Sequence, residues 1–228
     1  MKIAVISSGS WGTSLAKVLC DNSHQTTLWG RSKEYIDEMK ESGENHRYLK
    51  GIKLPKNLNL TANFKEAVEG TDLLILATPT QYIRQTFEEL KALEIPLPPL
   101  VNVSKGIEVK SLKRISEICA DTLGKEQAYA ILAGPSHAEE VMKNIPTAVV
   151  AASTDQAVAE LVQKAFSNET YFRTYTTQDV TGVEVGGAIK NVFAIAAGII
   201  DGLKYGDNTK AALMTRGSAE MSRLGQAL

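Results

Sequence analysis

Lys2-Ile3-Ala4-Val5-Ile6-Ser7-Ser8-Gly9-Ser10-Trp11-Gly12-Thr13-Ser14-Leu15-Ala16-Lys17-Val18-Leu19 opens the chain, and its reading decides the fold. Ile3, Val5 and Ile6 make a short β-rich run. Trp11, Leu15, Val18 and Leu19 then recur at helical spacing. Between the two lies a glycine turn, Ser7 to Gly12. Gln25 to Trp29 reads as the next strand, closed by Gly30-Arg31-Ser32. Strand, glycine turn, helix and strand in that order open a βαβ unit of the dinucleotide-binding kind. In such a unit Gly9 lets the backbone approach a pyrophosphate and Gly12 lets the helix pack tightly on its strands. The free amides of the helix start would hold the phosphates. Ser7 stands where G-x-G-x-x-G has its first glycine, and a serine there is expected either to strain the turn or to require a slightly different loop.

The end of the second strand bears on the cofactor. An acid about twenty residues after the turn accepts the ribose hydroxyls of NAD, whereas an arginine accommodates the extra phosphate of NADP. Here Arg31, Ser32 and Lys33 come first and no acid precedes Glu34, so the sequence leans towards NADP or use of both.

The pattern continues along the chain. Ser32 to Met39 reads as a serine-capped helix, Ser42 to Asn59 as a surface connection, and Phe64 to Val68 as a short helix. Asp72 to Ala77 is a continuous apolar run typical of a buried parallel strand, broken at Thr78-Pro79-Thr80 and followed by a helix through Tyr82, Phe87 and Leu90. Leu100 to Val103 is a strand ending in Ser104-Lys105-Gly106. A helix from Leu112 to Leu123 leads to the strand Tyr129 to Leu132, which ends in Gly134-Pro135-Ser136-His137-Ala138. Thr147 to Ala152 is a strand, Gln156 to Phe166 a helix and Thr170 to Thr174 a last strand. From Asp179 the pattern is wholly helical. The expected architecture is an α/β Rossmann-like dinucleotide-binding domain over residues 1–176 and the first part of an all-α substrate domain over residues 177–228. Five strand ends carry residues that packing does not explain: Ser7 to Gly12, Gly30-Arg31, Thr78-Pro79, Ser104-Lys105-Gly106 and Gly134-Pro135-Ser136. In an open α/β sheet ligands bind outside the carboxyl ends of the strands, although turns favour the same residue types.

The helical part begins with an unusual stretch. Val185, Ile189, Val192, Ala196, Ile199 and Leu203 share one apolar stripe, while Gly187, Lys190, Ala194, Gly198 and Asp201 form a face of small or charged residues. That pattern reads as a buried helix with a closely packed face, on which Lys190 sits partly desolvated or snorkels to water. Glu184, Lys190 and Asp201 argue against a membrane span.

Composition narrows the function class. With 43% apolar and 22% charged residues and a net charge of −1, the chain has an ordinary globular balance and no basic excess that would suit nucleic acid. Cys20 and Cys119 lie in apolar helical patterns and read as buried thiols of a reducing, cytoplasmic compartment. His24, His46 and His137 are scattered and support no metal site. Oligomeric state is not fixed by these features, and a homodimer is compatible with them.

Taken together, Gly9-Ser10-Trp11-Gly12-Thr13 with Leu15-Ala16, Trp29-Gly30-Arg31, Ser104-Lys105-Gly106 and Gly134-Pro135-Ser136-His137-Ala138 resemble NAD(P)-dependent sn-glycerol-3-phosphate dehydrogenase of the bacterial type. Lys190-Asn191-Val192, Asp201-Gly202-Leu203, Gly206 to Ala212 and Thr215-Arg216-Gly217 extend the resemblance over essentially the whole chain. It implies hydride transfer between NAD(P)H and dihydroxyacetone phosphate, or from glycerol 3-phosphate in reverse, feeding phospholipid synthesis. The resemblance makes Lys190 the proton acceptor in alcohol oxidation. It places Lys105, Gly134 and Ser136 around substrate, and Ser10, Trp11, Arg31, Lys105 and Ala138 on cofactor. The family pattern goes on beyond the position of Leu228 with segments holding an aspartate partner of the lysine and an arginine and asparagine on substrate and cofactor, so the all-α domain is expected to be incomplete in this chain. Two other readings compete: a non-catalytic dinucleotide-binding module, and a β-hydroxyacid or ketone reductase of similar two-domain build.

Overall fold

The computed structural model describes residues 1–228. Its centre is an eight-stranded sheet built from β1 (Lys2–Ile6), β2 (Gln25–Trp29), β3 (Asn59–Thr61), β4 (Leu73–Leu76), β5 (Leu100–Asn102), β6 (Tyr129–Ala133), β7 (Thr147–Ala152) and β8 (Phe172–Thr177). The strand order is β3-β2-β1-β4-β5-β6-β7-β8. All neighbours are parallel except β6 and β7. The first six strands therefore reproduce the order of a Rossmann sheet, with its switch point between β1 and β4.

Both faces of the sheet are buried, and alternation sorts the side chains between them. Ile3 and Val5 of β1 with Leu73 and Ile75 of β4 enter a core cluster on one face. Ala4, Ile6, Leu74 and Leu76 enter a cluster on the other. The first cluster is covered by α1 (Ser10–Asp21), α2 (Lys33–Ser42) and α7 (Gln156–Phe166), through residues such as Leu15, Met39 and Phe166. The second is covered by α3 (Phe64–Val68), α4 (Ile83–Lys91) and α5 (Ile115–Leu123), through Val68, Phe87 and Ile118. The short helix α6 (Ala138–Met142) follows β6.

Local chemistry moves several boundaries from their sequence positions. The last strand starts at Phe172 because Asn168 Oδ1 accepts the successive backbone N–H groups of Thr170, Tyr171 and Phe172, at 3.2, 2.9 and 3.0 Å, and holds residues 168–171 in a turn. α5 starts late because Leu112 has φ of 58°, which no helix allows. The stretch from Ser42 to Asn59 is more than a surface connection, since Asn45 and Leu49 are fully buried.

After β8 the chain turns at Asp179, whose carboxylate caps Gly182 N at 2.7 Å, into two long antiparallel helices, α8 (Val180–Gly202) and α9 (Gly206–Ala227). Val180 joins Ile131, Ala133 and Ala152 in a small core on the sheet, and Val185 is buried. Beyond Gly187 the partner of α8 is α9, where Phe193 meets Gly217. The expectation of a buried helix is thus corrected: Val192, Ile199 and Leu203 of the apolar stripe are 64, 57 and 54% exposed, because no element covers that part of it. By length and a mean hydropathy of 1.6, α8 could cross a membrane. Its first turns are instead bonded to the sheet through Glu184, as described below.

Candidate functional site

The glycine turn is built by three constraints. Ser7 N donates to Trp29 O at 3.1 Å and so extends the β1–β2 ladder by one rung. Ser7 then takes φ of 100°, the left-handed side of backbone space that glycine enters freely and serine enters at a cost of about 1–3 kcal/mol. Two turns of chain later, a Cβ on Gly12 would lie 2.1 Å from Ser7 O, so only glycine lets α1 approach β1 this closely. Gly9 is the helix N-cap with no side-chain cap, which leaves the first amides of α1 aimed into the cleft. Asn45 fixes the outer side of the turn. Its Nδ2 donates to Ser8 O at 2.8 Å and Thr13 Oγ1 at 2.7 Å, while the Tyr35 hydroxyl donates to its Oδ1.

The turn opens onto a groove along the carboxyl edge of the sheet, in two connected lobes of about 680 Å³ each. Ser10, Trp11, Ala77, Pro79 and Tyr82 line both lobes and join them. The first lobe runs from Gly9 to Arg31, Arg47 and Tyr48. The second contains Ser104, Lys105, Ser136 and Ala138. All five strand ends named from the sequence therefore border one groove or its rim.

In the second lobe Lys105 is central. Thr80 Oγ1 donates to its carbonyl at 3.1 Å, and its own Nζ donates to Gly134 O at 3.1 Å. Gly134 can hold that position because a Cβ there would meet Ala148 O at 2.8 Å and Val149 Cα at 2.9 Å. The Ser136 hydroxyl donates to the same carbonyl at 3.3 Å. Ala138 is buried at the start of α6, and its carbonyl accepts from Ser14 Oγ of α1 at 3.0 Å. A Cβ at Gly187 would sit 3.7 Å from Lys105 Cγ, so α8 closes over this lysine. Burial, and secondarily the positive charge of Lys190, lower the pKa of Lys105 from that of a free lysine. The dry setting expected for Lys190 belongs instead to Lys105: Lys190 is exposed, since α8 leaves the sheet before reaching it.

What holds α8 against this lobe is a buried carboxylate. Glu184 accepts from Arg114 Nη1 at 3.1 Å, Ser116 N at 2.8 Å, Ser116 Oγ at 2.6 Å and the Tyr129 hydroxyl at 2.8 Å. Burial and the carboxylate push the Tyr129 phenol well above its ordinary pKa, so it remains a donor. Sequence reading noted Glu184 only as a charge in an apolar helix. Asn45 was passed over inside a polar connection, where no periodicity marks a buried residue.

The family described as NAD-dependent glycerol-3-phosphate dehydrogenase N-terminus matches residues 2–159, and its C-terminus counterpart matches residues 179–228. The chain belongs to the NAD-dependent glycerol-3-phosphate dehydrogenase family. It is 50% identical over 226 residues to glycerol-3-phosphate dehydrogenase [NAD(P)+] of Bacillus pumilus, covering 98% of this chain and 65% of the relative. The enzyme of the same name from Staphylococcus carnosus is 45% identical, with 100% of this chain and 69% of the relative covered. Among solved structures, glycerol-3-phosphate dehydrogenase from Coxiella burnetii superposes with a TM-score of 0.91 at 36% identity, over 99% of this chain and 69% of that one. The chain thus spans about two thirds of the length of these members of the glycerol-3-phosphate dehydrogenase family.

The groove also fits a dinucleotide on its own terms. Trp11 Nε1 is buried without a partner beside the glycine turn. Around Gly9 the nearest heavy atom to an added Cβ is Ser7 Oγ at 3.9 Å, so the cradle next to the free amides is open to a phosphate.

Proposed function

We propose that the chain acts as a glycerol-3-phosphate dehydrogenase, reducing dihydroxyacetone phosphate with NAD(P)H and supplying glycerol 3-phosphate for phospholipid synthesis. The observation that carries this reading is the meeting of Lys105 and Ser136, both bonded to Gly134 O, at one end of a groove whose other end is the glycine turn and Arg31, with Gly187 of the Lys190 helix packed on Lys105. The nicotinamide, when bound, supplies hydride exchange at its C4. Gly9, Gly12 and the α1 amides at Ser10 and Trp11 would hold the pyrophosphate, with Ala138 closing the groove beside Trp11 and Arg31 at the adenosine end.

At the other end, two cationic side chains suit a phosphorylated substrate, and the half-buried Lys105 holds its ammonium between the groove and Gly134 O. In the proposed chemistry Lys190 gives a proton to the ketone oxygen as hydride reaches C2, and takes it back in alcohol oxidation. We assign residues 1–176 to cofactor binding and residues 177–228 to the substrate side, a division supported by the end of β8 at Thr177 and the start of α8 at Val180. A cytoplasmic location belongs to the same reading, supported by the free, buried Cys20 and Cys119.

The test is titration with NADPH followed by an oxidation assay with dihydroxyacetone phosphate. Lys190→Ala should lower turnover by about 10²–10⁴-fold, the range of a lost acid–base group, and leave NADPH affinity within twofold. Turnover surviving that change would remove Lys190 from the proposal. NADPH binding without any turnover by the unaltered chain would identify a binding module instead.

A further inference from the structure

Arg31 is not free to receive a phosphate. Its Nη2 bridges both carboxylate oxygens of Glu89, at 3.0 Å to Oε1 and 2.9 Å to Oε2, across the groove from β2 to α4. The guanidinium also lies over Trp29, 5.3 Å from the ring centroid. Gln85 Nε2 donates to Glu89 Oε1 at 2.9 Å and steadies the carboxylate from its own helix. The side chains of Arg31 and Glu89 are 61 and 28% exposed, so the acid is the better-anchored partner. The other cation of this lobe, Arg47, is likewise engaged: it stacks on Tyr35 at 3.9 Å and bonds to Glu38 Oε2 at 3.2 Å. Both cations at the adenosine end are therefore already neutralised by carboxylates.

This arrangement bears on the choice of cofactor, and it rests on the dinucleotide reading above. The end of β2 offers no acid for ribose hydroxyls, yet Glu89 delivers a carboxylate to the same place from α4. We propose that Glu89 is a specificity-determining residue that competes with the 2′-phosphate of NADP(H) for Arg31. With Glu89 present, a 2′-phosphate must break the ion pair and lie close to a like charge. A ribose with free hydroxyls meets no such repulsion. The pair thus restrains the preference for NADP(H) that Arg31 alone would give, and keeps the site usable by both dinucleotides.

The experiment is fluorescence titration of the full 228-residue chain and its Glu89→Gln variant with NADPH and NADH at low ionic strength. The ratio of the NADH to the NADPH dissociation constant should rise about fivefold in Glu89→Gln, the factor available to an exposed ion pair. The rise should shrink at high salt. In an Arg31→Ala background the same Glu89→Gln change should raise the ratio clearly less, because only the like-charge repulsion is left to relieve and the competition for Arg31 is gone. A rise of less than twofold in the single variant, or an equal rise with and without Arg31, would overturn the proposal while leaving dinucleotide binding intact. Failure of the unaltered chain to bind either dinucleotide would overturn the cofactor reading and this proposal together.

Discussion

Val5 of β1 and Ile195 of α8 are both aliphatic residues in regular elements, yet one is 0% and the other 67% exposed. The contrast extends to the regions around them. The sheet edge that carries the glycine turn, Arg31 and Lys105 is fixed by core clusters on both faces of the sheet. The helix that carries Lys190 touches the sheet only near its start, through Val180, Val185 and the polar knot around Glu184. The sheet-edge wall of the groove is therefore set by hydrophobic packing over its whole length. The α8 wall, which reaches the groove where Gly187 packs on Lys105, is set by a few contacts at one end, and small changes there swing everything farther along α8.

The largest effect should follow from removing that anchor. Glu184→Ala leaves Arg114 and the Tyr129 hydroxyl without their buried acceptor, and breaking a buried pair of this kind costs about 3–5 kcal/mol. Urea denaturation would measure it. NADPH binding at the sheet edge should suffer far less than turnover, because only the α8 wall is released. A loss below about 1 kcal/mol would mean that α8 is held by contacts other than Glu184, and that the two walls are secured alike.

The same contrast explains what could be read in the sequence. The strands and the glycine turn were legible because each signal is local: alternation, a glycine at a close approach, a proline at a strand end. The placement of α8 was not. Its periodicity correctly separated a small-residue face from an apolar stripe, but periodicity names faces without naming neighbours. Gly187 does face Lys105, whereas Val192, Ile199 and Leu203 of the apolar stripe stay exposed. Asn45 and Glu89 were hidden for a related reason. Each acts through long-range contacts, Asn45 to Ser8 O and Thr13 Oγ1 and Glu89 to Arg31, and neither sits in a pattern that sets it apart from a solvated loop or helix face.

Within the well-packed wall, Ser7 is a point of strain, and it offers a smaller and opposite effect. Ser7→Gly places at φ of 100° a residue that needs no distortion there. The relief outweighs the added freedom of the unfolded chain, and the net gain should be about 1 kcal/mol in urea denaturation. Ser7→Ala should give none of it, since alanine keeps the Cβ. Equal stability of all three forms would show that the turn relaxes around the serine, and that this wall is less rigid than its packing implies.

The smallest effect tests whether the two walls meet in solution. Lys105 is rooted in the sheet edge, and α8 covers it at Gly187. Burial lowers its folded pKa, whereas in the unfolded chain it titrates near about 10.4. Between those values the unfolded chain binds more protons, so this lysine makes stability rise with pH. Lys105→Met has no such group. The stability of the unaltered chain relative to Lys105→Met should therefore grow as pH rises towards the unfolded value of about 10.4 and level off above it. The slope should disappear in a Glu184→Ala background, where α8 no longer presses on Lys105 and water reaches the ammonium. A slope that persists there would trace the desolvation to the sheet edge alone. A slope absent from the start would mean that α8 does not close over Lys105 at all, and Lys105 and Lys190 would then face separate surroundings rather than one substrate.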